Sequence, residues 1–90
     1  MADQRKQIEL KVISQTGSCA AKHKVGDTWV MGAKTPEPGI CATALCAMLD
    51  KIRILRYGGS FPYKENPTVT TSACPDAENP VVFKITRLDY

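Results

Sequence analysis

No apolar run in this chain approaches the roughly 18 residues that a membrane-spanning helix requires. The longest candidate, Ile40 to Leu49, is broken by Thr43. Neither C-x-x-C nor H-E-x-x-H occurs, so no ready-made zinc or iron–sulfur signature can be read. The pair Gly58-Gly59 lacks the lysine and spacing of a P-loop, which leaves phosphate cradling by that motif unsupported. Aromatic residues number six (Trp29, Tyr57, Phe61, Tyr63, Phe83 and Tyr90), and the basic residues are scattered over both halves. That distribution fits nucleic acid poorly. No Ser-His-Asp arrangement is legible, and there is no internal repeat, low-complexity tract or linker. The opening Met1-Ala-Asp-Gln-Arg-Lys-Gln is polar, with no apolar h-region after it. The expected compartment is therefore the cytoplasm, where thiols stay reduced, and a disulfide framework is disfavoured.

The 90 residues suit one domain, and a hydrophobic fraction of 43% is that of an ordinary globular chain. A chain this short has a thin stability margin without a second chain or a bound ligand. Residues 1–6 read as a flexible N-terminal arm and 7–90 as a single α+β domain. Ile8, Leu10 and Val12 alternate with Glu9 and Lys11 as a half-buried strand does. After the turn signal Gln15-Thr-Gly-Ser and a second at Val25-Gly26-Asp27, Thr28 to Met31 is a short β-rich run. Gly32 to Gly39 holds two prolines and two glycines and reads as a loop.

Ile40 to Lys51 carries the clear helical pattern, with Cys41, Leu45, Met48 and Ile52 at helical spacing and three alanines favouring helix. It is expected to pack through Ala44, Leu45, Met48 and Ile52. Ile52 to Tyr57 reads as a strand leaving the helix, Val69 to Ala73 as a weak threonine-rich strand, and Val81 to Leu88 as the last strand. The order strand, strand, helix, strand, strand, strand predicts a small, mostly antiparallel sheet with one main helix on one face.

The four cysteines, Cys19, Cys41, Cys46 and Cys74, carry the most chemistry. Cys19 lies in a Gly/Ser turn with Lys22, His23 and Lys24 close behind. Cys41 opens the helix, where the positive end of the helix dipole favours a thiolate. Cys74 ends a strand before Pro75, which forces the chain to turn. The plainer reading of Cys41 is a small apolar residue filling the core under the loop, and that of Cys19 an exposed or half-buried loop thiol. Cys46 is mid-helix among Ala44, Leu45 and Ala47 and reads as a buried small hydrophobe. It is turned about 140° from Cys41, so the two do not easily share one ion. His23, flanked by two lysines, reads most simply as solvated, yet it stands four residues from Cys19 and is a candidate fourth ligand.

Two further stretches stand out. Lys51, Arg53 and Arg56 read either as a solvated rim or as an anion-binding patch helped by the Gly58-Gly59 amides. Gly58 to Tyr63 reads as a tight turn with aromatic residues pinning its exit.

Taken together, Cys19…His23-Lys24-Val25-Gly26-Asp27, Thr35-Pro36-Glu37-Pro38-Gly39-Ile40-Cys41, Leu55-Arg56-Tyr57-Gly58-Gly59-Ser60-Phe61-Pro62, Cys74-Pro75-Asp76 and Pro80-Val81-Val82-Phe83-Lys84 resemble a family of small prokaryotic proteins to which no activity attaches. The resemblance spans about residues 8–88. It implies a shared three-cysteine framework at Cys19, Cys41 and Cys74, with Cys46 a departure from it, and implies nothing about substrate.

The expectation is a small cytoplasmic domain of unknown reaction. Its cysteine-lined site would bind a metal ion (zinc) or an iron–sulfur centre through Cys19, Cys41, Cys74 and His23, as an accessory to a larger enzyme. Its partner would be another protein or a second copy, with neither nucleic acid nor membrane involved. The alternatives are a metal-free thiol or redox protein using Cys41 or Cys19, and a structural or interaction module whose cysteines pack.

Overall fold

The computed structural model describes residues 6–18, 22–34 and 39–88. The chain forms β1 (Gln7–Gln15), β2 (Thr28–Met31), α1 (Ala42–Arg56), β3 (Val69–Ala73) and β4 (Val81–Leu88). The four strands make one antiparallel sheet in the order β2-β1-β4-β3, and α1 covers one face. The fold is α+β. Among the described residues no helix is long and apolar enough to cross a membrane.

Period-two patterning decides which face is covered. Ile8, Leu10 and Val12 of β1, Trp29 and Met31 of β2, and Val81, Phe83 and Ile85 of β4 all point to one side and are buried. Ala44, Met48, Ile52 and Leu55 recur every three or four residues on α1 and fill the same core. A fully buried aliphatic side chain of this kind contributes about 1.5–3 kcal/mol. Leu45 sits at the edge of that stripe and is half-buried. The opposite sheet face carries Glu9, Lys11, Thr28, Val30, Lys84 and Thr71, in register across the strands. A β-bulge between Val12 and Ser14 shifts the β1–β4 register and leaves Ile13 exposed.

The helix is one turn longer than its alanine-rich part suggests. Residues 52–57 do not form a strand: Ile52 to Arg56 continue α1, and the described residues form four strands where five were expected. Ile52 and Leu55 extend the buried stripe of Ala44 and Met48, and that burial outweighs the β preference of isoleucine. Gly58, with φ of 89°, then ends the helix. Its amide donates to Leu55 O at 3.2 Å, and the Gly59 amide donates to Ile54 O at 2.8 Å. This is the paired bonding of a Schellman motif.

Hydrogen bonds from Arg87, Lys6 and Lys51 tether the helix to the rest of the fold. Arg87 Nη1 donates to Leu55 O at 3.4 Å and to Gly59 O at 2.8 Å. The Lys6 amide donates to Arg56 O at 2.9 Å, so this last residue of the expected arm is joined to the domain; residues 1–5 lie outside the described residues. On the edge strand β3, Lys51 Nζ donates to Thr71 O at 2.7 Å. In the turn after the helix, Phe61 packs against the core while Tyr63 stays exposed, so a single aromatic residue pins this exit.

Candidate functional site

His23 and Cys41 meet where α1 begins, and Cys74 follows the last residue of β3. The chain reaches this end through β2 and the turn before it. Asp27 shapes that turn: its Oδ2 accepts the Lys24 amide at 2.9 Å, and its own amide donates to Lys24 O at 3.0 Å. Lys22 adopts φ of 61°, a left-handed conformation rare for a side-chain-bearing residue. His23 follows it inward.

His23 is not solvated, as its two lysine neighbours suggest; it is 8% exposed. Its ring meets Trp29 edge-on with centroids 4.7 Å apart and stands 6.2 Å from Phe83. The lysines on either side are exposed and the ring alone turns in. Burying an imidazole requires a polar partner, and it has one: Nε2 accepts the backbone N–H of Cys41 at 3.0 Å. That contact places the ring nitrogen at the residue that starts α1. It requires Nε2 to be unprotonated, with any ring proton on Nδ1.

Cys41 is the N-cap residue of α1, half-buried against the core edge. Its carbonyl accepts the Leu45 amide at 2.9 Å. Its side chain makes no capping hydrogen bond, and the first turn of the helix carries no acidic residue.

Cys74 closes β3 at the corner the sequence predicts. Its amide donates to Val81 O at 2.9 Å, extending the β3–β4 ladder by one pair. Its sulfur accepts the Val81 amide at 3.3 Å and donates to Asn79 O at 3.8 Å. The loop between them is wound on Asp76. Oδ1 accepts the amides of Glu78 and Asn79, and Oδ2 accepts Nδ2 of Asn79. The Asn79 side chain, with help from the backbone amide of Glu78, holds the Asp76 carboxyl below its ordinary value of 3.8. Asn79 also reaches the β1 turn, where its Oδ1 accepts the Ser18 amide at 2.8 Å. A Cβ on Gly17, at φ of 73°, would collide with that same oxygen.

Cys19 lies outside the described residues; its predecessor Ser18 is tied to the Asn79 loop. Cys46 is exposed and not buried. It stands two positions from both Ala44 and Met48, which turns it about 160° from each and away from the core. Among the described residues no group of three or more His, Cys, Asp and Glu side chains is arranged to hold a metal ion. The sequence reading missed Asn79, which joins the Ser18 turn to the Cys74 corner. The spacing Asp76-x-x-Asn79 was its only local sign.

No family model, curated protein or solved structure matches this chain.

Proposed function

We propose that this domain is a thiol-ligand module. Cys41 and Cys74, joined by Cys19, would bind a soft metal ion (zinc or the iron of an iron–sulfur centre) at the end where α1 begins, in the service of a larger enzyme. The observation that carries this reading is the Val81 amide donating to the Cys74 sulfur at 3.3 Å. Backbone N–H groups aimed at sulfur stabilise thiolate ligands and tune the metal they hold. No such amide reaches the Cys41 sulfur, whose side chain makes no capping hydrogen bond at the start of α1. His23 acts best as a positioning residue, since Nε2 is engaged by the Cys41 amide; ligation by His23 would use Nδ1 or give up that bond. A fourth ligand would then come from solvent or a partner.

A second reading has its own observation. The Cys74 sulfur also faces Asn79 O as a donor at 3.8 Å, a contact that needs the thiol proton. This favours cysteines that pack and brace the corner without metal.

Elemental analysis and a visible spectrum of protein purified without oxygen separate the two. The metal reading expects about one equivalent of zinc, or iron with absorbance near 400 nm. Cys41→Ser and Cys74→Ser should each abolish that content, while Cys46→Ala leaves it unchanged. Metal-free wild type, or full loading of Cys41→Ser, would sink the reading in favour of structural thiols.

A further inference from the structure

A second cluster lies at the end of α1 opposite Cys41. The closing carbonyls of the helix are all supplied there. Arg53 O accepts from Tyr57, Ile54 O from Gly59, Leu55 O from Gly58 and Arg87, and Arg56 O from Lys6. The guanidinium groups of Arg53 and Arg56 therefore cap nothing. Both instead stand against one ring: each guanidinium carbon is 5.3 Å from the centroid of Tyr57. Tyr57 itself is 51% exposed. Arg56 Nη1 donates to Tyr57 Oη at 3.3 Å, a long bond, and Arg56 Nε is buried with no hydrogen-bond partner. A guanidinium with an orphaned Nε is not in its best-satisfied arrangement.

The sequence suggests an anion patch here, with Lys51 and the Gly58-Gly59 amides as helpers. Neither helper is available. The two amides complete the helix cap, and Lys51 is turned to Thr71 O. The donors left are two planar forks and a phenol hydroxyl. One guanidinium suffices for a carboxylate, whereas a phosphate offers three terminal oxygens to two forks and a hydroxyl.

We propose that Arg53, Arg56 and Tyr57 form a binding site for a phosphate group. The Arg56 guanidinium turns its Nε edge outward onto the phosphate, which gives the orphaned N–H its acceptor. Arg53 supplies the second fork, and the Tyr57 hydroxyl donates its proton to a third oxygen. The negative end of the helix dipole lies nearby and opposes any anion. Binding is accordingly modest and weakens with added salt.

The test follows the arginine Nε–Hε signals by NMR during titration with inorganic phosphate, glycerol 3-phosphate and, as a carboxylate control, acetate. Saturable shifts of the Arg53 and Arg56 signals are expected, at concentrations at least tenfold lower for a phosphate compound than for acetate. Tighter binding of glycerol 3-phosphate identifies an esterified ligand; equal binding identifies the free ion. Arg53→Gln, an exposed change, should weaken binding at least fivefold. Arg56→Gln should do the same with an unchanged circular dichroism spectrum. Lys84→Gln, on the open sheet face, should leave the titration as it is. The proposal is overturned by shifts that never saturate, by acetate matching phosphate, by Arg53→Gln without effect, or by Lys84→Gln weakening binding equally.

Discussion

The C-terminal end of α1 is closed largely by residues that follow it in sequence, through the Gly58-Gly59 turn, with Arg87 and Lys6 as outside supports. The N-terminal end has no side-chain cap of its own and is held from across the fold by the ring of His23. A helix end completed locally is rigid and leaves its flanking side chains free, as Arg53 and Arg56 are freed from capping. An end held by a distant residue is coupled to whatever moves that residue, and it leaves first-turn amides open to a ligand. The chemistry proposed for the two ends follows this division, with sulfur ligands at the open end and surplus cations at the closed one.

Packing variants should break the comparison most visibly. Leu55 is fully buried beside the closed end, and Leu45 is half-buried near the open one. Leu55→Ala should cost about 2–5 kcal/mol in urea unfolding, and Leu45→Ala clearly less. Equal costs would mean that the N-terminal half of α1 is packed as tightly as the other.

His23→Ala comes next. It removes the acceptor of the Cys41 amide and the ring beside Trp29, and should cost about 1–3 kcal/mol. Faster hydrogen exchange at Cys41 should accompany it, with Tyr57 to Gly59 unaffected. His23→Gln, which keeps an acceptor on a side chain of similar reach, should recover part of the Cys41 protection. If Cys41 exchange is unchanged in His23→Ala, the ring does not hold the helix.

Gly58→Ala tests the closed end. At φ of 89° a side chain is strained even where space is open, and a loss of about 1 kcal/mol is expected. Thermal or urea unfolding reads it directly. No loss would mean that Arg87 and Lys6, and not the glycine turn, close the helix.

The smallest effect concerns acid. The Asp76 carboxyl titrates below 3.8 in the fold, held there by the Asn79 side chain and the Glu78 amide. A carboxyl whose folded value is lowered stabilises the fold above the unfolded value, and that contribution fades as pH falls through the lower folded value. The 76–79 loop should therefore loosen only below about pH 3.8, seen as increased amide exchange at Glu78 and Asn79. Asp76→Asn should abolish this acid dependence, whereas α1's closed end should show none in either protein.

Much of the architecture is legible in the residues. Alternation in Ile8-Leu10-Val12 and Val81-Phe83-Ile85 places β1 and β4, and the alanine-rich stripe places the helix. The end of that helix is misplaced because isoleucine and arginine alternate after Lys51 as they would in a strand. Only burial of Ile52 and Leu55 against the sheet decides for helix, and burial is a long-range fact. His23 fails the same way. Its lysine neighbours speak for solvent, while Trp29 and Phe83, which enclose it, are six and sixty residues on. The helix-start position of Cys41 and the corner at Cys74 are readable because local rules of capping and proline govern them. Asn79 is not, since its reach to Ser18 depends on how β1 and β4 pair.

The bond from Lys51 Nζ to Thr71 O has a bearing on the protein in crowded solution. β3 is an edge strand, and an uncovered edge invites another chain to add a strand and begin an aggregate. Lys51 lays a charged ammonium across that edge from the helix side, occupying a carbonyl that an incoming strand would need. On this edge a flexible side chain thus occupies one outward-facing carbonyl. Lys51→Met should free that carbonyl, and faster aggregation in concentrated solution is the expected outcome.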